Sequence, residues 1–193
     1  MYGGRISPAH SFDHTRRYQN DIVVYSDNEL RRALGYVKRG TRVVVANDIS
    51  VTRPIEVRVA DTLIDTDDTS AQSVIISGFG TGKLKRKNGI TDAFDLFKLQ
   101  PGKDGTVQNI QFSDLSFDGF DRAVFVDKNS TALNLVVQRC SIENCNFLVG
   151  GGACTLKNCS ITENYLFSNV SQATGLLSVT HLTFTAVTNN LMY

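Results

Sequence analysis

Several residue types and patterns are scarce or missing in this chain of 193 residues, and each absence excludes a class of protein. With no tryptophan, three prolines and 15 glycines, the composition is neither collagen-like nor that of a disordered chain. Twenty basic residues against 19 acidic ones leave a net charge of +1, so we expect no nucleic-acid partner. No apolar run approaches the 18 residues of a membrane-spanning helix, so we expect no membrane partner.

The amino terminus reads Met-Tyr-Gly-Gly-Arg-Ile-Ser-Pro and lacks the apolar segment of a secretion signal. We therefore expect the protein to fold in a reducing cytosol. An apolar fraction of 41% over this length predicts one soluble domain with a sizeable core.

The cysteines lack the paired Cys-x-x-Cys motifs of a zinc site. Four, eight and four residues separate them, and no histidine lies between them. Most of them instead occupy apolar positions of an internal repeat, which predicts buried thiols rather than a metal site or a disulfide. No metal and no cofactor is predicted. The four are Cys140, Cys145, Cys154 and Cys159.

The second half of the chain contains a repeated pattern of one apolar, two polar, one apolar, one polar and one apolar residue. It occurs at 112–120, 137–145, 156–164 and 179–187. Successive anchor residues are 25, 19 and 23 positions apart, which is a period typical of solenoid proteins. Each unit is too small to bury an apolar face alone, so the units must stack. The anchors are Leu115, Cys140, Cys159 and Leu182.

Ahead of the repeats, the sequence predicts an extended arm and one helix. Residues 1–20 have no apolar period and are predicted to be an arm that binds a partner. A helix is predicted from Asn28 to Lys38, beginning at a cap at Ser26 or Asp27, so that it covers about 27–38. Its apolar stripe comprises Leu30, Ala33, Leu34 and Val37, and the residues of the arm that would bind the partner are Tyr2, Arg5, Phe12, Arg16, Arg17 and Tyr18.

Short runs of β-branched residues predict strands through the rest of the first half, while residues 83–92 are predicted to form a loop that protrudes from the stack. The predicted strands are 22–25, 42–46, 49–51, 55–59, 62–64, 73–77 and 94–99.

This order of elements resembles the right-handed parallel β-helix of the pectate-lyase-like superfamily. The resemblance rests on the helix-to-strand passage 28–46, the segment 74–84 and the repeats at 137–142 and 156–161, and it covers 26–190. It implies an all-β domain over 21–193, a single-stranded right-handed parallel β-helix whose short amino-terminal α-helix caps the stack. Members of the superfamily include polysaccharide lyases and glycosidases, and small β-helices of this kind occur in phage spikes, fibres and capsid decorations.

Carboxylate clusters are the candidate site for chemistry on a polysaccharide. A carboxylate pair could supply an acid and a base, and three carboxylates could hold calcium. Both clusters also lie where turns are expected, and we prefer this structural interpretation because Asp side chains favour turns. Arg139 shares a repeat position with Asp114, Asn158 and His181, which is typical of a solvent-facing strand. The weak catalytic candidates are Asp65, Asp67 and Asp68 in the first cluster, and Asp114, Asp118 and Asp121 in the second.

The sequence therefore favours a non-enzymatic structural component of a phage virion, such as a decoration, spike or fibre protein. No capping pattern follows the last repeat, so we expect other proteins to cover that end. The expected partners are other virion proteins and further copies of the chain in a homotrimer, made in the host cytoplasm. One alternative is a module that binds or degrades surface polysaccharide, and another is a fragment of a longer spike.

Overall fold

The computed structural model describes residues 20–60, 73–78, 82–151, 154–157, 159–166, 175–179, 183–185 and 188–192. Within these ranges the protein is dominated by β-strands and has one α-helix, in agreement with the predicted all-β class. The predicted strand at 62–64 lies outside them.

Twenty short strands and the helix follow one another along the chain. The helix α1 spans Asp27–Leu34, and the strands are β1 Asn20–Val24, β2 Thr41–Val45, β3 Ile49–Val51, β4 Ile55–Arg58, β5 Val74–Gly78, β6 Lys83–Arg86, β7 Phe97–Gln100, β8 Thr106–Gln108, β9 Ile110–Ser113, β10 Ser116–Asp118, β11 Arg122–Val126, β12 Thr131–Leu133, β13 Val136–Gln138, β14 Ser141–Glu143, β15 Phe147–Gly151, β16 Thr155–Lys157, β17 Ser160–Leu166, β18 Gly175–Val179, β19 Thr183–Thr185 and β20 Thr188–Met192.

Every pair of these strands is parallel, and the pairing builds three sheets of eleven, five and four strands. The seven-residue strand β17 pairs with β13 through its first half and with β14 through its second half, so it joins two stacks in the largest sheet. The strands therefore form four stacks. Stack A holds β1, β2, β5, β9, β13, β17 and β20; stack B holds β3, β6, β10, β14 and β17; stack C holds β4, β7, β11, β15 and β18; stack D holds β8, β12, β16 and β19.

The most regular part of the molecule is 106–151, which we call the central repeats. Here Phe112 pairs with Val137 and Phe117 with Ile142, both at an offset of 25 residues. Residues at the corners adopt positive φ angles of 50–57°, which Asn and Asp tolerate better than most residues. These corners recur every five residues within a repeat, at Asn109, Asp114, Asn134, Arg139 and Asn144.

The core is one continuous cluster of inward-facing side chains that runs from Val24 to Ile161. Three phenylalanines, on β7, β9 and β10, meet across the core from three different stacks: the Phe97 ring lies 5.0 Å from that of Phe112 and 6.3 Å from that of Phe117. Asn164 is also fully buried, but its carboxamide accepts the Cys140 N–H and donates to the Val137 carbonyl, each at 2.9 Å. The core is therefore apolar, with its buried amide fully engaged.

The predicted repeat register is correct for the first two segments and wrong for the last two. Ile161 pairs with Val137, so Cys159 lies beside Leu135 rather than Cys140. Phe184 likewise pairs with Leu156 instead of Ile161. The cause is the five-residue spacing of corners, because a pattern that recurs within each repeat can be aligned one corner out of step.

The predicted helix is present but shorter, since α1 ends at Leu34 and Val37 forms a bridge with Val59. The Ser26 side chain accepts the Glu29 N–H, as a cap should. The loop predicted at 83–92 is wrong at its start, because β6 pairs there with β3 and β10. The start of this segment was predicted as a loop because three of the four residues of β6 are lysine or arginine; only Leu84 is buried in this strand.

Candidate functional site

The Asp114 carboxylate forms a two-point ion pair with the repeat above it. Arg139 donates from Nε to Asp114 Oδ1 at 2.7 Å and from Nη2 to Oδ2 at 3.0 Å. Both residues are corners with positive φ, at an offset of 25 residues. The predicted alignment of Arg139 with Asp114 is thus correct, and the pair fastens two corners together, while Asn158 and His181 lie outside the described residues.

Asp118 is the most buried of the candidate carboxylates that the structure describes, with 7% of its surface exposed on β10. Its oxygens lie 3.1 Å from Lys83 Nζ and 3.9 Å from Lys85 Nζ, and Asn144 donates to it at 2.9 Å. Burial raises the pKa of this carboxyl, but the hydrogen bonds from Asn144 and Lys83 outweigh burial and hold the pKa below its usual value. Asp118 is therefore ionised at neutral pH.

Lys83 links two carboxylates across stack B. Its Nζ donates to Glu143 Oε2 at 2.8 Å as well as to Asp118. The hydrogen bond to Glu143 is the main reason why the pKa of Lys83 lies above its usual value, although partial burial opposes it. Lys83, Asp118 and Glu143 come from three successive strands of the stack, so their charges connect β6, β10 and β14.

Asp121 belongs to a second group at the start of β11. Asn146, 25 residues later, donates to its carboxylate at 2.7 Å, and Arg122 Nη2 lies 3.1 Å away. The Arg122 guanidinium also donates to both oxygens of Asp95 and lies 4.6 Å from the centre of the Phe125 ring. Asp121 therefore contributes to the contact between neighbouring strands of stack C.

An open groove of about 490 Å³ lies between stacks A and B, beside the first of these ion pairs. It presents the hydroxyl groups of Ser116 and Ser141, and charges of which Lys83, Asp114 and Arg139 are held in ion pairs. Its lining comprises Asp48, Gly82, Lys83, Asp114, Leu115, Ser116, Arg139 and Ser141.

This arrangement fits structural ion pairs better than acid–base chemistry. A general acid at neutral pH needs a raised carboxyl pKa, and that of Asp118 is lowered. The preferred turn interpretation holds for Asp114, which occupies a corner, but not for Asp118, which lies within β10 and contacts side chains on other strands. Sequence reasoning missed Lys83, Lys85 and Asn146, although the 25-residue offset from Asp121 could have pointed to Asn146.

The cysteines are buried and free, as predicted. Burial raises the pKa of the Cys140 thiol to about 12 and that of Cys145 to about 11, and it also raises the pKa of Cys154. Such thiols stay protonated and unreactive at neutral pH. Within the described ranges, no three His, Cys, Asp or Glu side chains are grouped as they would be around a metal ion.

Two sets of predicted residues lie outside the described residues. They are the carboxylates Asp65, Asp67 and Asp68, and the partner-binding residues Tyr2, Arg5, Phe12, Arg16, Arg17 and Tyr18.

No family model, no curated protein and no solved structure matches this chain. The helix in the described part of the chain is too short to cross a membrane.

Proposed function

We propose that this chain is a right-handed parallel β-helix of the pectate-lyase-like type that serves as a non-enzymatic structural component of a phage virion. Four stacks of parallel strands and the 25-residue offset in the central repeats support the β-helix part of the proposal. The helix α1 buries Leu30 and Leu34 at the β1 end of the core, where an amino-terminal cap of such a helix would lie.

One observation supports a structural role over an enzymatic one. The described candidate carboxylates are each engaged by a basic or amide side chain from a neighbouring repeat: Asp114 by Arg139, Asp118 by Lys83 and Asn144, and Asp121 by Asn146. Such contacts hold successive repeats in register. They also keep the acidic oxygens from acting as free acids or bases.

In this proposal, residues 1–20 anchor the protein to other virion proteins through their arginines and aromatic side chains, which are types enriched at the centres of protein interfaces. The chain assembles as a homotrimer, is made in the host cytoplasm and ends in the virion. The virion assignment rests on the resemblance to small β-helices of phage particles, and deletion of the arm tests it.

Deleting residues 1–19 tests the anchor while keeping Asn20, which begins β1. We expect the truncated protein to keep its circular dichroism spectrum and its melting temperature within a few degrees, and to be absent from purified particles. A full-length variant with Tyr2, Phe12 and Tyr18 changed to Ser should fail in the same way. Incorporation of both variants would contradict attachment through the arm, and unfolding of the truncated protein would place the arm in the core.

The groove between stacks A and B favours one second candidate, which is binding of a surface polysaccharide. Its hydroxyl groups and ion pairs are the polar groups that a glycan could contact. Incubation with host capsular or surface polysaccharides would then show binding that is lost when Ser116 and Ser141 are both changed to Leu. Release of reducing or unsaturated sugar ends by the wild type, abolished in the double variant Asp118→Asn and Asp121→Asn, would establish the enzymatic alternative instead.

A further inference from the structure

The two ends of stack A are both single strands of five residues. In the described part of the chain, β1 pairs with β2 alone and β20 pairs with β17 alone. Both run parallel to the rest of the stack. The outer edge of each strand therefore presents backbone N–H and C=O groups in the orientation that another parallel strand needs.

Exposed apolar surface marks the β1 end. The exposed large apolar residues among the described ones all lie there, with exposed fractions of 39% for Ile22, 44% for Val23, 60% for Tyr25 and 69% for Tyr36. Directly beneath them, Val24, Leu30 and Leu34 are buried in the core. This end therefore combines an open strand edge with uncovered apolar side chains, which is the usual mark of a surface that another chain covers.

We propose that β20 of a second copy of this chain adds to the open edge of β1, so that stack A continues from one molecule into the next. The two strands match in length and direction, and Thr188 and Asn189 of β20 continue stack A beyond Ser160 and Ile161, so the junction would repeat the pairing found within the molecule. Two β1 strands related by a two-fold axis would instead pair antiparallel, unlike any strand pair in this structure. The joining is head to tail and adds molecules lengthwise. It does not depend on the assignment to a virion.

The hydrogen-bond pattern of β1 identifies which residue would take part. The Val24 carbonyl accepts the Ala46 N–H at 3.1 Å, so Val24 faces β2. Alternate residues of a strand in a parallel sheet bond to opposite neighbours, so the N–H and C=O of Val23 face the open edge. In the register of stack A, Asp21 shares a column with Ser160 and Thr188, and Ile22 shares one with Ile161 and Asn189. Val23 therefore lies opposite Asn190 of the second copy.

A cysteine pair tests the junction directly. Paired residues on adjacent strands have Cα atoms about 5 Å apart, which suits a disulfide. We expect a mixture of Val23→Cys protein and Asn190→Cys protein to form a disulfide-linked dimer under mild oxidation, while each variant alone stays monomeric on a denaturing gel. The native cysteines do not compete, because all four are buried. A dimer from Val23→Cys protein alone, or no dimer in the mixture, would overturn the proposal.

A proline at Val23 provides the second measurement, because it removes the outward N–H without breaking a bond to β2. Wild-type protein should show a light-scattering mass that rises with concentration, whereas Val23→Pro protein should show a constant mass over the same range. Val23→Thr is the matched control and should behave as the wild type. If Val23→Pro protein still elongates with concentration, β1 is not the joining edge. If Val23→Pro protein does not fold, the cysteine pair decides.

Discussion

The central repeats and the first region of the chain, residues 20–60, are held together by different kinds of side-chain contact. In the central repeats, polar side chains find partners one repeat away, as when Asn134 donates to Asn109 at 2.8 Å. In residues 20–60, α1 is held by contacts within its own turn and with the nearest loop: Arg31 pairs with Asp27 four residues earlier and donates to the Pro54 carbonyl at 2.6 Å. The contacts of the first region therefore occur once, whereas those of the central repeats recur from one repeat to the next.

This difference shows where each region is vulnerable. A residue in the central repeats contacts the repeats before and after it, so a substitution at one corner also removes contacts made by the neighbouring repeats. The first region instead leaves Val23, Tyr25 and Tyr36 uncovered and depends on a single helix to close its core. We therefore expect substitutions in the central repeats to cost stability, and substitutions at the β1 end to affect association more than folding.

Placing the same charged residue in both regions tests this expectation most strongly. Cys140→Asp introduces a carboxylate at a fully buried site, and we expect the free energy of unfolding to fall by about 3–5 kcal/mol, as for other buried charges without a partner. Val23→Asp places the same group on the exposed edge strand and should cost less than about 1 kcal/mol. Urea denaturation of both variants checks the comparison, which fails if the two losses are similar.

Sequence reasoning recovered most of what local patterns encode. The helix with a cap at Ser26 or Asp27, its buried Leu30 and Leu34, and the strand Ile49–Val51 could be predicted because each depends on residues close together in the chain. The pairing of the first two repeat segments was also correct, since both have intact patterns at an offset of 25 residues.

Pairing between distant segments was harder to predict. The environment of Asp118 depends on Lys83, which lies 35 positions earlier on a strand whose three basic residues are more typical of a loop. The slip that misplaced Cys159 has a related origin, because one corner of a repeat looks like the next. Local chemistry thus predicts elements, whereas the register and the charged partners depend on how many residues each repeat inserts between its corners.

The pH dependence of stability offers a second, smaller test of the comparison. The pKa of Asp118 is lower in the folded state than its usual value of 3.8. The ionised carboxylate therefore stabilises the fold at pH values above 3.8, and this contribution to the free energy of unfolding is lost as the pH falls through the lower native pKa. We expect Asp118→Asn to cost about 1 kcal/mol at pH 7 and to weaken the decline of the melting temperature as the pH falls below 3.8.

Glu56→Gln is the control in the first region. The Glu56 carboxylate pairs with Arg58, but both side chains are more than half exposed, at 52% and 57%, so the pair should add little stability. Its melting temperatures should follow those of the wild type throughout the acid range. An equal change in the pH dependence of the melting temperature for both variants would mean that the burial of Asp118 and its contacts across stack B do not add to the stability of the fold.

The smallest expected effect concerns the cap of α1, and it measures how far the first region depends on that single helix. Ser26 accepts the Glu29 N–H at 3.3 Å through an exposed side chain, so Ser26→Ala should cost about 0.5–1 kcal/mol. Ser50→Ala removes the same hydroxyl from an exposed position of β3, where it caps nothing, and should cost less. Thermal unfolding followed by circular dichroism can resolve the difference. If both variants melt together, α1 is held by its buried face, Leu30 and Leu34, and its capping bond adds nothing measurable to the closure of the core.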